Sequence, residues 1–182
     1  MRVIVPLAEG FEEIEAVSII DVLRRAGAQV TTAYLKAKPV TGSHSITVTA
    51  DTAIDGAAAG DYDCIALPGG MPGSENLKND SRVITLVRDM AKAGKITAAL
   101  CAAPMVLGAA GVLAGRRATC YPGFEDSMTG AHPVGDPVVR DGAIVTARGP
   151  GCAIPFALEI LSALGAKGIA ENLKESMQVY WM

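Results

Sequence analysis

The stretch that most constrains this chain is Ile96-Thr97-Ala98-Ala99-Leu100-Cys101-Ala102-Ala103-Pro104. An apolar run stops at one cysteine, and small residues with a proline follow at once. That order predicts a buried strand, a sharp turn and a helix start, because proline fits the first turn of a helix and not its interior. A cysteine on such a turn projects from the strand end beside the first helical amides. Amides at a helix start favour negative charge, so position 101 suits a thiolate. Free cysteine is also among the most buried residue types, and the local string alone leaves a small packing cysteine open.

The rest of the chain alternates in the same way. Strands are expected over residues 2–7, 29–35, 62–67, 96–100 and 118–120. A hairpin at 40–50 would lie at the sheet edge. A second hairpin, over 138–145, turns on Asp141-Gly142. Helices are expected over 11–26, 80–93, 104–110, 153–164 and 168–177. In the first, Ile14, Val17, Ile20 and Leu23 recur at helical spacing, and Gly27 is placed to end it. Asp80 can cap the second and Gly94 can stop it. Strands alternating with helices imply an α/β fold, with a mainly parallel sheet covered on both faces. The low aromatic share, 4% within 50% hydrophobic residues, suits Ala, Val, Ile and Leu strands buried between helices. At 182 residues, with no linker or repeat, the chain is expected to form one domain over 1–182.

Several function classes lose support. Net charge is −3 and no basic run occurs, so nucleic acid is not an expected partner. Cys64, Cys101, Cys120 and Cys152 show no CxxC spacing, so neither a metal centre nor a disulfide framework is expected, and no cofactor is implied. The N-terminal apolar run is broken by Pro6 and followed by Glu9, which fits a first strand better than a signal peptide. No segment approaches the ~18 apolar residues of a membrane span. A cytoplasmic protein is the expectation.

In open parallel sheets ligands bind at the carboxyl ends of the strands. Cys101, Gly69-Gly70 and the segment 9–15 each follow an expected strand, so three turns converge on one rim. Glu12 and Glu13 read as charges on a solvated face that compensate the helix dipole. Glu15 has apolar neighbours and lies one turn on from Phe11. Facing inward, it would be desolvated and keep its proton, and a neutral carboxyl can donate a hydrogen bond to a thiolate. The Gly pair lets an amide approach an anion, and with the Ala102 amide it would form an oxyanion hole. His44 and His132 read as surface residues and not as bases. Cys64 and Cys152 read as packing residues, leaving Cys120 as the secondary thiol of interest.

Taken together, these residues resemble the DJ-1/ThiJ/PfpI superfamily, in particular its parkinsonism-associated deglycase branch and that branch's bacterial relatives. The segments that carry the resemblance are 8–15 (AEGFEEIE), 21–27 (DVLRRAG), 67–70 (LPGG), 99–104 (ALCAAP), 120–125 (CYPGFE) and 146–151 (TARGPG). The resemblance implies a flavodoxin-like three-layer sandwich and a homodimer, with Asp21, Arg24 and Arg25 of the first helix near the partner. It implies that Cys101 is a nucleophile on a strained elbow, that Glu15 is its protonated partner, and that the Gly70 and Ala102 amides face the reactive centre. Two departures matter. Tyr121 stands where some members carry a histidine before the proline; it can position substrate but, with a pKa of about 10, is a poor base. Ala102 stands where the protease-like branch has a histidine, so a cysteine peptidase triad is not supported.

Two functions follow. The first is a cofactor-independent glyoxalase III or deglycase acting on α-oxoaldehydes such as methylglyoxal, or on their adducts. The second is a redox-sensing, chaperone-like stress protein whose reactive cysteine oxidises to sulfinate.

Overall fold

The computed structural model describes residues 1–180. In chain order the elements are β1 (Arg2–Leu7), α1 (Glu13–Arg25), β2 (Gln29–Tyr34), β3 (Pro39–Thr41), β4 (Thr47–Thr49), β5 (Thr52–Ala53) and β6 (Cys64–Leu67). Then come α2 (Gly73–Lys78), α3 (Ser81–Lys92), β7 (Ile96–Leu100), α4 (Pro104–Ala109), β8 (Arg117–Ala118) and β9 (His132–Pro133). The chain closes with β10 (Val138–Asp141), β11 (Ile144–Ala147), α5 (Ala153–Ala163) and α6 (Lys167–Ser176).

Seven strands form one sheet in the order β10-β11-β7-β6-β1-β2-β5. Every pairing in it is parallel except that of β10 with β11. Helices cover both faces, as the alternation implies: α1, α5 and α6 on one side, α2, α3 and α4 on the other. The apolar interior is accordingly split into two layers. One centres on Leu7, Phe11, Leu23 and Phe156, the other on Ile65, Leu67, Met90 and Leu107.

Local chemistry sets the ends of the elements. Asp80 caps α3 by accepting from the Arg82 main-chain N–H at 2.9 Å, and Pro104 opens α4. Asp141 pairs with Ile144, so the second hairpin turns on Gly142-Ala143 instead of Asp141-Gly142. Gly142 there has φ of 62°.

Three expectations need correction. The hairpin at 40–50 exists, but β3 and β4 form a separate two-stranded sheet, and β5 takes the edge beside β2. The strand at 118–120 shrinks to β8 paired with β9, because the Thr119 N–H turns to Thr146 Oγ1 at 2.9 Å. The buried face of α1 differs most. Ile14 and Val17 are 59% and 49% exposed, while Glu13, Glu15, Ala16, Ile19, Val22 and Leu23 are buried. The helix is rotated because both inward carboxylates meet donors in the protein interior. In addition, α2 lies directly after the Gly- and Pro-rich turn at 68–73, where only a turn is expected from the sequence.

Candidate active site

The rim at the carboxyl ends of β1, β6 and β7 holds the candidate groups. Cys101 follows β7 directly and has φ of 63°. A non-glycine residue in that left-handed region costs on the order of 1–3 kcal/mol and persists only where its surroundings hold it. Here the Cys101 N–H donates to Ala147 O at 2.9 Å and its carbonyl accepts from Tyr121 N at 2.9 Å. Those two bonds tie the turn to β11 on one side and to the loop after β8 on the other.

Glu15 enters from the first turn of α1. Glu12 fixes its main chain by accepting from the Glu15 N–H at 2.7 Å. The Glu15 carboxyl is fully buried, and its Oε2 accepts from the Gly69 N–H at 2.7 Å. Its Oε1 meets no partner at hydrogen-bond geometry among the described residues, and the Cys101 thiol is the neighbouring side chain whose proton bears on the carboxyl. Burial raises the Glu15 pKa to about 7, against the Gly69 N–H and Cys101 thiol, which favour the charged form; the Glu12 charge adds to the rise. The carboxyl is therefore neutral in a large share of molecules at neutral pH.

Gly69 explains why the site needs a residue without a side chain. A Cβ there would stand 2.6 Å from Cys101 Cβ, 2.7 Å from Glu15 Oε2 and 2.8 Å from Leu100 O. The cysteine and the acid thus flank a gap narrower than one methyl group. Gly69→Ala is expected to cost roughly 1–3 kcal/mol by overpacking and to displace either Cys101 or Glu15. Denaturant unfolding, with alkylation of Cys101 as the local probe, checks both. Gly70 has φ of 91°, and a Cβ on it would collide with Glu12 N.

The Cys101 sulfur differs from the accessible thiolate expected. Cys101 is only 8% exposed. Burial pushes its pKa up to about 12, helped by the charge of Glu15 and a hydrogen bond to it, while the Gly70 and Ala102 N–H groups pull the other way. Two of the three raising causes require Glu15 to be ionised. When Glu15 is neutral they vanish, and its O–H becomes a donor instead. Cysteine and acid therefore titrate as a pair that keeps one proton over a wide range of pH.

The structure brings Cys101, Glu15, Gly70 and Ala102 together. Tyr121 is adjacent through its main chain, but its ring is half-exposed, stacks edge-on to Phe124 at 6.3 Å, and packs over Gly149. Cys120 belongs to the opposite core layer from Cys101, the one that also holds Met105 and Met128. Burial raises its pKa to about 11, with the Glu125 charge adding to the rise and Arg148 opposing it.

Glu12 and Glu13 are not on a solvated face; both are buried. Glu13 accepts from the His44 N–H at 2.6 Å and lies 2.8 Å from His44 Nδ1, with Ser43 Oγ and Ile46 N also donating. Burial works against the Glu13 charge, but those bonds outweigh it and hold the pKa at about 2. His44 is exposed, as expected, yet it is the partner of this acid. No local signal links residues 13 and 44, which meet only when the hairpin folds against α1. A Cβ at Gly42 would strike the Glu13 carboxylate, so the glycine in this hairpin is the one trace of the contact in the sequence.

Comparison with known proteins places this arrangement. The DJ-1/PfpI family matches residues 1–163. Protein DJ-1 homolog A of Arabidopsis thaliana is 41% identical over 175 residues; the match covers 94% of this chain, and the chain spans 45% of the length of that relative. A deglycase of Pyrococcus abyssi is 36% identical over 153 residues, covering 83% of this chain and 92% of that protein. The structure of oxidised Toxoplasma gondii DJ-1 superposes with a TM-score of 0.93 at 39% identity, covering 100% of this chain and 99% of the other.

Proposed function

The chain belongs to the DJ-1/PfpI family, and from that premise and the Cys101–Glu15 geometry we propose that it converts α-oxoaldehydes such as methylglyoxal, or their early adducts, without a cofactor. The observation that carries this reading is a fully buried carboxyl with a pKa of about 7 set against a cysteine in the left-handed region. The deglycase activity named for the Pyrococcus relative agrees with it.

Between the Glu15 and Cys101 pKa values the pair's one proton rests on the Cys101 sulfur, and the reactive form is the tautomer that carries it on Glu15 and leaves a thiolate. The Cys101 thiolate adds to the aldehyde carbon, and the carbonyl π electrons become an oxyanion. The Gly70 and Ala102 amides stabilise that charge, and protonation by Glu15 gives a hemithioacetal. Glu15, now a carboxylate, takes the proton from the former aldehyde carbon to give an enediolate, the hydroxyl proton passes from the first oxygen to the second, and Glu15 returns its proton to the neighbouring carbon. The result is a thioester of the hydroxy acid. Water hydrolyses it, releasing lactate and the free cysteine. The net reaction adds one water and needs no oxidant. Tyr121 at the mouth contributes position, not proton transfer. A lactate assay on the parent, Cys101→Ser and Glu15→Gln tests the scheme; equal rates in all three would falsify it.

A second reading shares the site. The unpartnered Glu15 Oε1 is suited to donate to a sulfinate on Cys101, which supports selective oxidation there. Mild peroxide followed by intact-mass and peptide analysis is expected to place a two-oxygen adduct on Cys101 before Cys64, Cys120 or Cys152. Equal labelling of all four removes the sensor.

A homodimer through α1 completes the proposal. Ile14 and Val17 of α1 and Ile46 of the adjoining hairpin are exposed apolar residues, and Val17, Ile20 and Val48 line one groove with Asp21 and Arg24. Sedimentation is expected to give the mass of two chains. Ile14→Asp is expected to give one, because a buried carboxylate without a partner is costly.

A further inference from the structure

β11 reads Ile144-Val145-Thr146-Ala147, apolar but for one hydroxyl, and Thr146 is fully buried. The strand runs between β10 and β7, with Thr146 opposite Val139 and Ala99. A hydroxyl at such depth costs stability unless it is hydrogen-bonded. Its Oγ1 accepts from the Thr119 N–H at 2.9 Å. Two residues on, the Tyr121 N–H donates to Cys101 O at 2.9 Å, and the Cys101 N–H donates to Ala147 O, next to Thr146, at 2.9 Å. The three bonds close a ring. It runs from Cys101 to Ala147, back to Thr146, across to Thr119, and forward through Tyr121 to Cys101 again. Both main-chain polar groups of Cys101 are held in it, and Cys101 has the left-handed φ of 63°.

We propose that Thr146 is a positioning residue for Cys101: its hydroxyl closes the ring that holds the turn in the left-handed region, and so keeps the sulfur beside the Gly70 and Ala102 amides. A strained backbone persists only where its surroundings fix it. Ala147 O is one hold, and the pairing of β11 with β7 fixes it. Tyr121 N is the other, and it lies in a loop. β8 ends at Ala118, so the bond from Thr119 to Thr146 is what carries the order of the sheet on toward Tyr121. Thr146 shares a strand face with Ile144, two residues before it. Ile144 belongs to the core layer of Ala118 and Cys120, whereas Cys101 belongs to the other. The hydroxyl therefore acts through the main chain and not on a substrate. This role rests on Cys101 as the reactive residue proposed above, and not on the aldehyde it meets.

The test compares the parent, Thr146→Val and Thr146→Ser by the pH dependence of Cys101 alkylation, read by mass spectrometry of its peptide, and by amide hydrogen exchange. Glu15 of α1 is the titratable group that bears on Cys101, with Glu12 beside it. Their shared proton gives the parent a rate that rises through pH about 7 to a plateau. Thr146→Val keeps the size and removes the acceptor. It is expected to lose that step, leaving the profile of an ordinary thiol, and to speed exchange at the Tyr121 and Cys101 amides by about 10-fold or more. Thr146→Ser keeps the hydroxyl and is expected to restore both. Val87→Ala, in the buried face of α3, controls for lost stability and is expected to keep the step. If Thr146→Val does not fold, exchange in the parent decides, where the Thr119, Tyr121 and Cys101 amides should open together. A parent without the step refutes the shared proton and not the ring, and exchange again decides. A step retained in folded Thr146→Val, a step lost equally in Val87→Ala, a serine variant that behaves like the valine one, or a Tyr121 amide exchanging well ahead of Thr119 would overturn the proposal. No arm measures lactate, so failure here and failure of the aldehyde reaction are separate results.

Discussion

Glu15→Gln is expected to slow the conversion of methylglyoxal by about 10²–10⁴-fold, the range over which a positioned acid–base group contributes. The substitution keeps size and shape. The amide oxygen still accepts from the Gly69 N–H, which donates to Glu15 Oε2 at 2.7 Å in the parent, and the amide NH2 turns to the sulfur. What disappears is the proton that moves between carbons. Cys101 itself should become easier to ionise, because the charge and hydrogen bond of Glu15 both help hold its pKa up. The variant is therefore expected to react faster with iodoacetamide at pH 8 while turning over more slowly. A variant slow in both assays would point to a collapsed site and not to a missing proton carrier. Cys101→Ser should reduce lactate production to background, since an alcohol in the same surroundings is a much weaker nucleophile.

The second large effect concerns stability. Glu15 has a pKa of about 7 in the folded protein against 4.5 as the ordinary value. Between those two pH values the folded chain keeps a proton that the unfolded chain has lost. The folded state binds more protons there, so stability falls as pH rises through the window, by about 3 kcal/mol in all from this one group. Glu15→Gln removes that loss. The variant should be more stable than the parent at pH 8, with a melting temperature higher on the order of 10 °C, and the two should converge below pH 4.5. Glu13 has the opposite sign and a separate window. Its pKa of about 2 contributes stability that is present above pH 4.5 and lost as pH falls toward 2. Thermal unfolding of parent and variant across pH 4 to 8 isolates the Glu15 part by difference. The activity and stability predictions run in opposite directions at one position, as expected where a site residue is buried at a cost to the fold.

The parallel sheet and the turn at Cys101 were legible because their signals are local. A mostly apolar run, one cysteine and a proline three positions on all fall between Ile96 and Pro104, and the strand bounds at 96–100 agree with the structure. Asp80 and Gly94 likewise mark the ends of α3 within one turn of the chain. Glu15 could be recognised because the residues around it are apolar. The face of α1 was not legible in the same way. Ile14 and Val17 have the spacing of a core stripe, yet the inward positions go to Glu13 and Glu15. Their donors, His44 and Gly69, are 31 and 54 residues away in sequence. Hydrophobic periodicity ranks side chains by their cost of burial in isolation and takes no account of a main-chain N–H that arrives from another element. The depth of Cys101 was not legible for a related reason: the helix-start amides are visible in the sequence, whereas the 8% exposure of the residue is set by the whole rim.

The division of the interior by the sheet bears on how an oxidised chain could recover. Cys101 and Cys120 sit on chain segments joined by the bond from Tyr121 N to Cys101 O, yet their side chains pack in different layers. The sheet thus stands between the layers to which the two residues belong. A bridge from position 101 to position 120 would have to join the two layers, so an oxidised Cys101 is expected to return to the thiol by way of a reductant from solvent. Cys101 is only 8% exposed, so small thiols should repair it faster than bulky protein reductants.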